Sequence, residues 1–258
     1  MDCSSAWRTL LIFFLSLAVL LAAAVCGNEL IRQELHLCGS TARCPSRAPL
    51  PAAPGPIVPS RGWTVGKFTA RLLREENIGW RQTPRYTPTG YKVSALPPAL
   101  FAQCVAFHAN SVPSRERANY HLDGDIFVAS LASQAPALEK KVAVFLSKEL
   151  LTWTGLQNLE YVQSYGPRTY TRGATLAAHG DRVRTHAISA IVFIAQESGQ
   201  EPWPLQFVPN GARLSEPVQE VRLDAKHNVL LYESTQPHGR VEPLTDKSYT
   251  PAFLHWMP

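Results

Sequence analysis

The sequence predicts an α+β fold, with helices in the first half and a closing run of short strands that they support. Two observations carry this. Between Pro97 and Gly155 the apolar residues recur at helical spacing; after Gly155 they fall into short apolar or alternating runs separated by turn residues. No helical stretch separates those runs, which favours a β-sandwich or barrel over βαβ units.

Taken in order, the chain opens on Arg8, an apolar run from Leu10 to Val25 broken only by Ser16, and small residues to Gly27. This is the pattern of a signal sequence or signal anchor over 1–27, and it delivers the rest of the chain to the lumenal or extracellular side of the secretory pathway. Membrane anchoring through 10–25 is the alternative to cleavage, although the run is shorter than the ~20 residues a spanning helix prefers. Residues 28–60 read as a Cys-containing, proline-rich stem. Cys38 and Cys44 are placed to pair locally in an oxidising compartment. The run PSRAPLPAAPGPIVP (45–59) reads as an extended linker outside any packed core. The remaining residues, 61–258, form one domain, with helical support over 61–156 and a β core over 157–258.

Within that domain a first helix begins at Pro97 and Pro98, where proline is tolerated because the first N–H groups have no intrahelical partner. Its stripe is Leu100, Phe101, Cys104, Val105 and His108, so Cys104 reads as a buried, inert thiol. A second helix spans 136–153. Leu138, Val142, Leu146 and Leu150 make one apolar face, with charged residues opposite, and Gly155 ends it. Strands are predicted at Leu159–Tyr165, Thr175–His179, Ala187–Gln196, Trp203–Val208, Val218–Leu223, Asn228–Glu233 and Ser248–Trp256. The formal net charge of +5 over 258 residues is mild, and no stripe of Lys and Arg interleaved with aromatics is present, so nucleic acid is not an expected partner.

The chemistry concentrates late in the chain. His179 and Asp181 stand two apart at a predicted strand end, where alternate side chains share a face and can reach one ion. His238 follows the Asn228–Glu233 strand. If two sheets face each other, His238 joins the pair, and two imidazoles with one carboxylate on one face of an ion leave its other positions open. That is the facial triad of non-haem iron(II) oxygenases, with room for a bidentate 2-oxo acid and O₂. A dicarboxylate cosubstrate needs a cation at its far end. Lys247, nine residues past His238, is the first candidate, and Arg240 offers a bidentate fork as the second. Tyr170 can add its hydroxyl. The sequence contains no G-x-S-x-G elbow, phosphate loop or G-x-G-x-x-G.

The runs RTYTRGATLAAHGDRVRTHAISAIVFIAQ, EPWPL and LLYESTQPHGRVEPLTDKSYTPAFLHW, in this order, resemble the catalytic domain of the prolyl 4-hydroxylase-like branch of the 2-oxoglutarate/iron(II) dioxygenases. The likeness runs from Tyr161 to the C-terminus and extends weakly back to GYKVSALPPALF. It implies a double-stranded β-helix (jelly-roll) core. It also implies iron on His179, Asp181 and His238, and 2-oxoglutarate on Lys247 with help from Tyr170. O₂ would be cosubstrate and ascorbate an accessory. The implied reaction is hydroxylation of an unactivated carbon, first of all a peptidyl proline in a peptide or protein substrate, with release of succinate and CO₂.

This chain departs from the family pattern at three places. Ala178 replaces a proline, DAKHN replaces a Gly-Asp turn, and STQP before His238 is one residue shorter. The shortening supports a second reading, a non-catalytic lumenal binding module on the same fold. A third is an oxygenase acting on a small molecule.

Overall fold

The computed structural model describes residues 56–72, 80–117, 119, 121–197 and 201–258. The signal segment, the Cys38–Cys44 pair and most of the stem lie outside these residues. Among them, no helix is long and apolar enough to cross a membrane.

In chain order the elements are β1 (Ile57–Thr64), α1 (Val65–Thr69), β2 (Tyr91–Ser94), α2 (Pro98–Asn110), β3 (Ser114–Arg115), β4 (Leu122–Asp123), β5 (Ile126–Val128), α3 (Leu131–Gln134), α4 (Pro136–Thr154), β6 (Glu160–Tyr165), β7 (Arg168–Thr171), β8 (Thr175–His179), β9 (Ile188–Glu197), β10 (Leu205–Phe207), β11 (Pro217–Val221), β12 (Val229–Glu233), β13 (His238–Arg240) and β14 (Ser248–Met257).

The pairings β7·β14, β8·β13, β9·β12 and β10·β11 are all antiparallel and nest one inside the next. Rolled up, they leave β12-β9-β14-β7 in one sheet and β11-β10-β13-β8 in the other. This eight-strand order is a jelly roll, the core expected from the sequence.

Strand alternation then sorts the side chains. On β9, Ile191 and Phe193 enter the cluster between the sheets, whereas Ile188, Ala190, Val192 and Ile194 point the other way. Likewise Leu230 and Tyr232 of β12 face inward, and Val229 and Leu231 face outward. Both faces of these strands are buried, so they read as continuous apolar runs.

The outer face is covered by α4. Its Val142, Ala143, Leu146 and Leu150 pack on Ile188, Ala190, Leu254 and Trp256, and the Trp256 indole donates to Ser147 Oγ at 2.9 Å. Gly155 closes the helix in the left-handed region at φ 71°, where a Cβ would be strained. In α2 the predicted stripe is only half used: Cys104 is buried, but Val105 is 37 % exposed. Burial pushes the Cys104 thiol up to about 11, in keeping with an inert thiol.

The structure departs from the sequence reading at three places: β2–β5 lie within 61–156, the region expected to be helical support, β7 and β13 are strands that the sequence reading does not contain, and one boundary moves. Ile57, Val58 and Pro59, assigned to the linker, form the start of β1 and pair with Val221, Glu220 and Gln219. Because β1 is the outer strand of its sheet, the missing N–H of Pro59 need not break an interior ladder.

Leu146 is fully buried, so Leu146→Ala should cost about 2–5 kcal/mol. Val105→Ala on the exposed side of α2 should stay within about 0.5 kcal/mol. Urea unfolding of the two variants checks the contrast.

Candidate metal centre

The jelly roll brings His179 and His238 face to face. His179 is the last residue of β8, His238 the first of β13, and the two are register partners. Glycines allow this approach. A Cβ on Gly239 would lie 2.9 Å from the Ala177 carbonyl oxygen, and one on Gly180 would lie 3.0 Å from that of Thr235. Past Gly180, the Asp181 N–H donates to the Ser234 carbonyl at 2.9 Å, which holds the carboxylate beside the turn leading into His238.

Each imidazole is oriented by its own strand. His179 Nδ1 lies 2.9 Å from the Ala177 carbonyl, and His238 Nδ1 lies 2.8 Å from that of Gln236. A carbonyl only accepts, so both Nδ1 atoms carry a proton, and the Nε2 atoms are the ones turned toward Asp181. Those Nε2 atoms stand 3.8 and 3.7 Å from Asp181 Oδ1. The three donor atoms all lie within 4.8 Å of one another: too far apart to hydrogen-bond, and spaced to hold an ion between them. The donor set, two imidazoles and one carboxylate oxygen, suits non-haem iron(II).

The electrostatics suit a cation. Burial, reinforced by His238, pushes the His179 imidazole down to about 3, so it is neutral. Burial pushes the Asp181 carboxyl up. The imidazoles of His238, His255, His179 and His186 more than offset this, and the group ends below the ordinary carboxylate range.

The STQP turn delivers His238 opposite His179. It is braced from several sides: Ser234 N–H donates to Ala187 at 3.0 Å, and Val208 N–H donates to Pro237 at 2.9 Å. The buried Glu233 carboxylate accepts from the backbone of Tyr86 and Thr87, the Thr87 hydroxyl and the Asn210 amide at 2.7–3.1 Å. Segment 83–90 is thereby tied across the turn, with Thr83 and Thr235 hydroxyls 2.7 Å apart.

The two cations that the sequence offers for a cosubstrate lie in different surroundings. The Lys247 side chain is 77 % exposed and pairs with Glu197 at 2.6 Å. It lies in the turn before β14, and its ammonium points to solvent rather than into the roll. Arg240 takes the interior position. Two residues beyond His238 on β13, it is 2 % exposed. Its guanidinium donates to Tyr249 Oη at 3.0 Å and to the Trp203 carbonyl, and lies over both rings. Among the described residues no carboxylate forms an ion pair with it. Tyr170 is fully buried in the same cluster, its ring 5.2 Å from that of Trp203, and its hydroxyl accepts from Arg168 at 3.2 Å.

Several residues here were not singled out as site residues from the sequence. Tyr232 Oη donates to Asp181 Oδ2 at 2.8 Å. His255 approaches the same oxygen at 4.0 Å, and its ring lies 3.8 Å from that of His186. The His121 ring lies 4.8 Å from that of His179. No spacing signal marks these, since each arrives from a different strand or loop.

No family model matches the sequence, and no curated protein matches it as a relative. Among solved structures, the chain is similar to an oxidoreductase of the 2OG-Fe(II) oxygenase family from Burkholderia pseudomallei. The TM-score is 0.51 at 12 % identity, over 76 % of this chain and 92 % of that one. HygX from Streptomyces hygroscopicus, solved with nickel, 2-oxoglutarate and hygromycin B, gives 0.49 at 14 % over 72 % and 87 %. A Pseudomonas putida prolyl-4-hydroxylase gives 0.46 at 18 % over 65 % and 92 %. The first of these carries the fold assignment: the chain has the jelly-roll fold of the 2OG-Fe(II) oxygenases.

His179 and His255, held down at about 3 and about 4 mainly by burial, stay neutral in the folded protein. In the unfolded chain they take up protons near the ordinary 6.5. Through that window the unfolded state binds more protons, so the metal-free protein should lose stability as the pH falls from about 6.5 towards 4. The urea midpoint at about pH 5 should lie below that at about pH 7.5, and His255→Gln should reduce the difference.

Proposed function

We propose that this chain is an iron(II)- and 2-oxoglutarate-dependent oxygenase that hydroxylates an unactivated carbon. One observation carries the reading. The Nε2 atoms of His179 and His238 and Oδ1 of Asp181 converge within 4.8 Å, and on the short strand that carries His238 a buried guanidinium has no carboxylate partner among the described residues. A metal-ligating triad alone fits many ions. A buried, unpaired positive charge beside it is costly unless an anion completes it. Together they support a metal and an anionic ligand held from neighbouring positions of β13.

In this reading His179, Asp181 and His238 hold the iron, and Arg240 holds the distal carboxylate of 2-oxoglutarate with Tyr249 beside it. Iron(II) so bound would couple decarboxylation of 2-oxoglutarate, with O₂, to substrate hydroxylation, releasing succinate and CO₂. The protein's own part is positioning. The Ala177 and Gln236 carbonyls set the tautomers, and the aromatic rings of Trp203, Tyr249 and Tyr170 keep water from the guanidinium and strengthen its field.

A peptidyl proline is the substrate we propose first. The support is the resemblance of 161–258 to the prolyl 4-hydroxylase-like branch, and ascorbate as an accessory rests on the same likeness. Action in the secretory-pathway lumen rests on the signal pattern of residues 1–27.

Iron(II) and 2-oxoglutarate added without oxygen should give the visible charge-transfer band of the chelate, and His179→Ala should abolish it. No band in folded protein would sink the enzyme reading in favour of a binding module. Succinate release with proline-rich peptides against other substrates then tests the substrate. Arg240→Gln removes one partner of a buried charge pair, worth about 2–5 kcal/mol, and should weaken 2-oxoglutarate at least ~30-fold. Lys247→Ala should leave that affinity unchanged.

A further inference from the structure

We propose that Tyr232 is a positioning residue for the metal, holding Asp181 as a one-oxygen ligand. The inference rests on the iron reading above and concerns a residue which that reading does not use.

The two oxygens of Asp181 have different surroundings. Oδ1 faces the Nε2 atoms of His179 and His238 at 3.8 and 3.7 Å. Oδ2 points away from them and accepts the Tyr232 hydroxyl at 2.8 Å. Among the described residues this is the one side-chain hydrogen bond to Oδ2. His255 Nδ1 is 4.0 Å away, beyond hydrogen-bond reach, and instead lies 2.7 Å from Ser189 Oγ. The Asp181 N–H is tied to Ser234 at 2.9 Å, so the backbone end of the carboxylate is held by one contact and its far oxygen by the other.

Tyr232 is itself rigid. It is 1 % exposed, its ring is T-shaped against His238 at 4.9 Å and against Phe207 at 6.1 Å, and its backbone pairs with Ser189 on one side and Tyr91 on the other. A phenol fixed in this way cannot follow a rotating carboxylate. A hydrogen bond to an ionised acceptor is among the stronger kinds. With Oδ2 committed, the chain offers three donors to an octahedral ion and leaves three positions for a chelating 2-oxo acid and O₂. A carboxylate free to chelate would take one of those three.

Mn(II), which reports its own binding by loss of the free-ion EPR signal, is the probe. The full chain is titrated without oxygen, beside Tyr232→Phe and a chain carrying p-aminophenylalanine at position 232, which keeps a ring N–H donor. Thermal unfolding of the metal-free proteins is followed in parallel. Phenylalanine keeps the ring contacts with Phe207 and His238 but leaves Asp181 Oδ2 without its side-chain partner, so the metal-free midpoint should fall by a few degrees, while Mn(II) binds 10–100-fold more weakly, the usual effect of losing an outer partner of a ligand. The amino variant should recover most of the affinity.

Unchanged or tighter binding by Tyr232→Phe overturns the proposal. So does an amino variant as weak as Tyr232→Phe, because the hydrogen bond is then not the cause. If Tyr232→Phe does not fold, the amino variant against the parent decides in the same way. Failure of the parent itself to bind Mn(II) overturns the iron reading, and this inference with it.

Discussion

The pairing of β8 with β13 is the constraint on which the rest of the molecule turns. These two short strands place His179 opposite His238, and they can do so only because Gly239 lets the backbones close to a distance that a Cβ would forbid. Everything else holds that pair in position. In the nested order of the roll, β8 and β13 lie in the interior of the smaller sheet, flanked by β4 and β10. Neither strand is an edge, so a shift in register would have to move its neighbours as well.

Around this pair the larger sheet acts as a plate. Its strands are buried on both faces, with α4 on the outside and an aromatic cluster inside. That cluster, which includes Tyr170, Trp203, Phe207, Tyr232 and Tyr249, does more than fill space. Two of its polar tips meet charged groups of the site, Tyr232 at Asp181 and Tyr249 at Arg240, and a third, Tyr170, meets Arg168. Buried aromatics with a polar tip are useful here because they satisfy a charge while still excluding water. The tight packing of β12 is therefore part of the site's electrostatics and not only of its stability.

The short turn before His238 shows how local sequence and tertiary contact divide the work. By itself, STQP carries no strong turn signal. Its conformation comes from Glu233, buried beneath segment 83–90, and from backbone bonds to Ala187 and Val208. A buried carboxylate is expensive unless its oxygens are satisfied. Here the backbone and hydroxyl of Thr87 satisfy one of them, Oε1, and in doing so they fasten the strap across the turn, while Oε2 has no hydrogen-bond partner among the described residues. With the turn so fastened, His238 stands in register with His179.

By itself the sequence determined the helices α2 and α4, the amphipathic face of α4, six of the eight strands of the roll to within about two residues, and the set His179, Asp181 and His238 that the structure brings together. Period-2 alternation, helical spacing and H-x-D at a strand end are local signals, readable without knowing what packs where. Only the tertiary structure decided which cation lies inside. Lys247 lies nine residues past His238 and Arg240 two; Lys247 falls in an exposed turn against Glu197, while Arg240 shares a strand with His238 and is carried inward with it. The partners of Asp181 were decided in the same way. Tyr232 and His255 are 51 and 74 residues distant along the chain, and only the closing of β12 and β14 around β9 places them beside one carboxylate. The physical reason is common to both: burial and pairing across strands depend on register between distant segments, and no single segment contains that information.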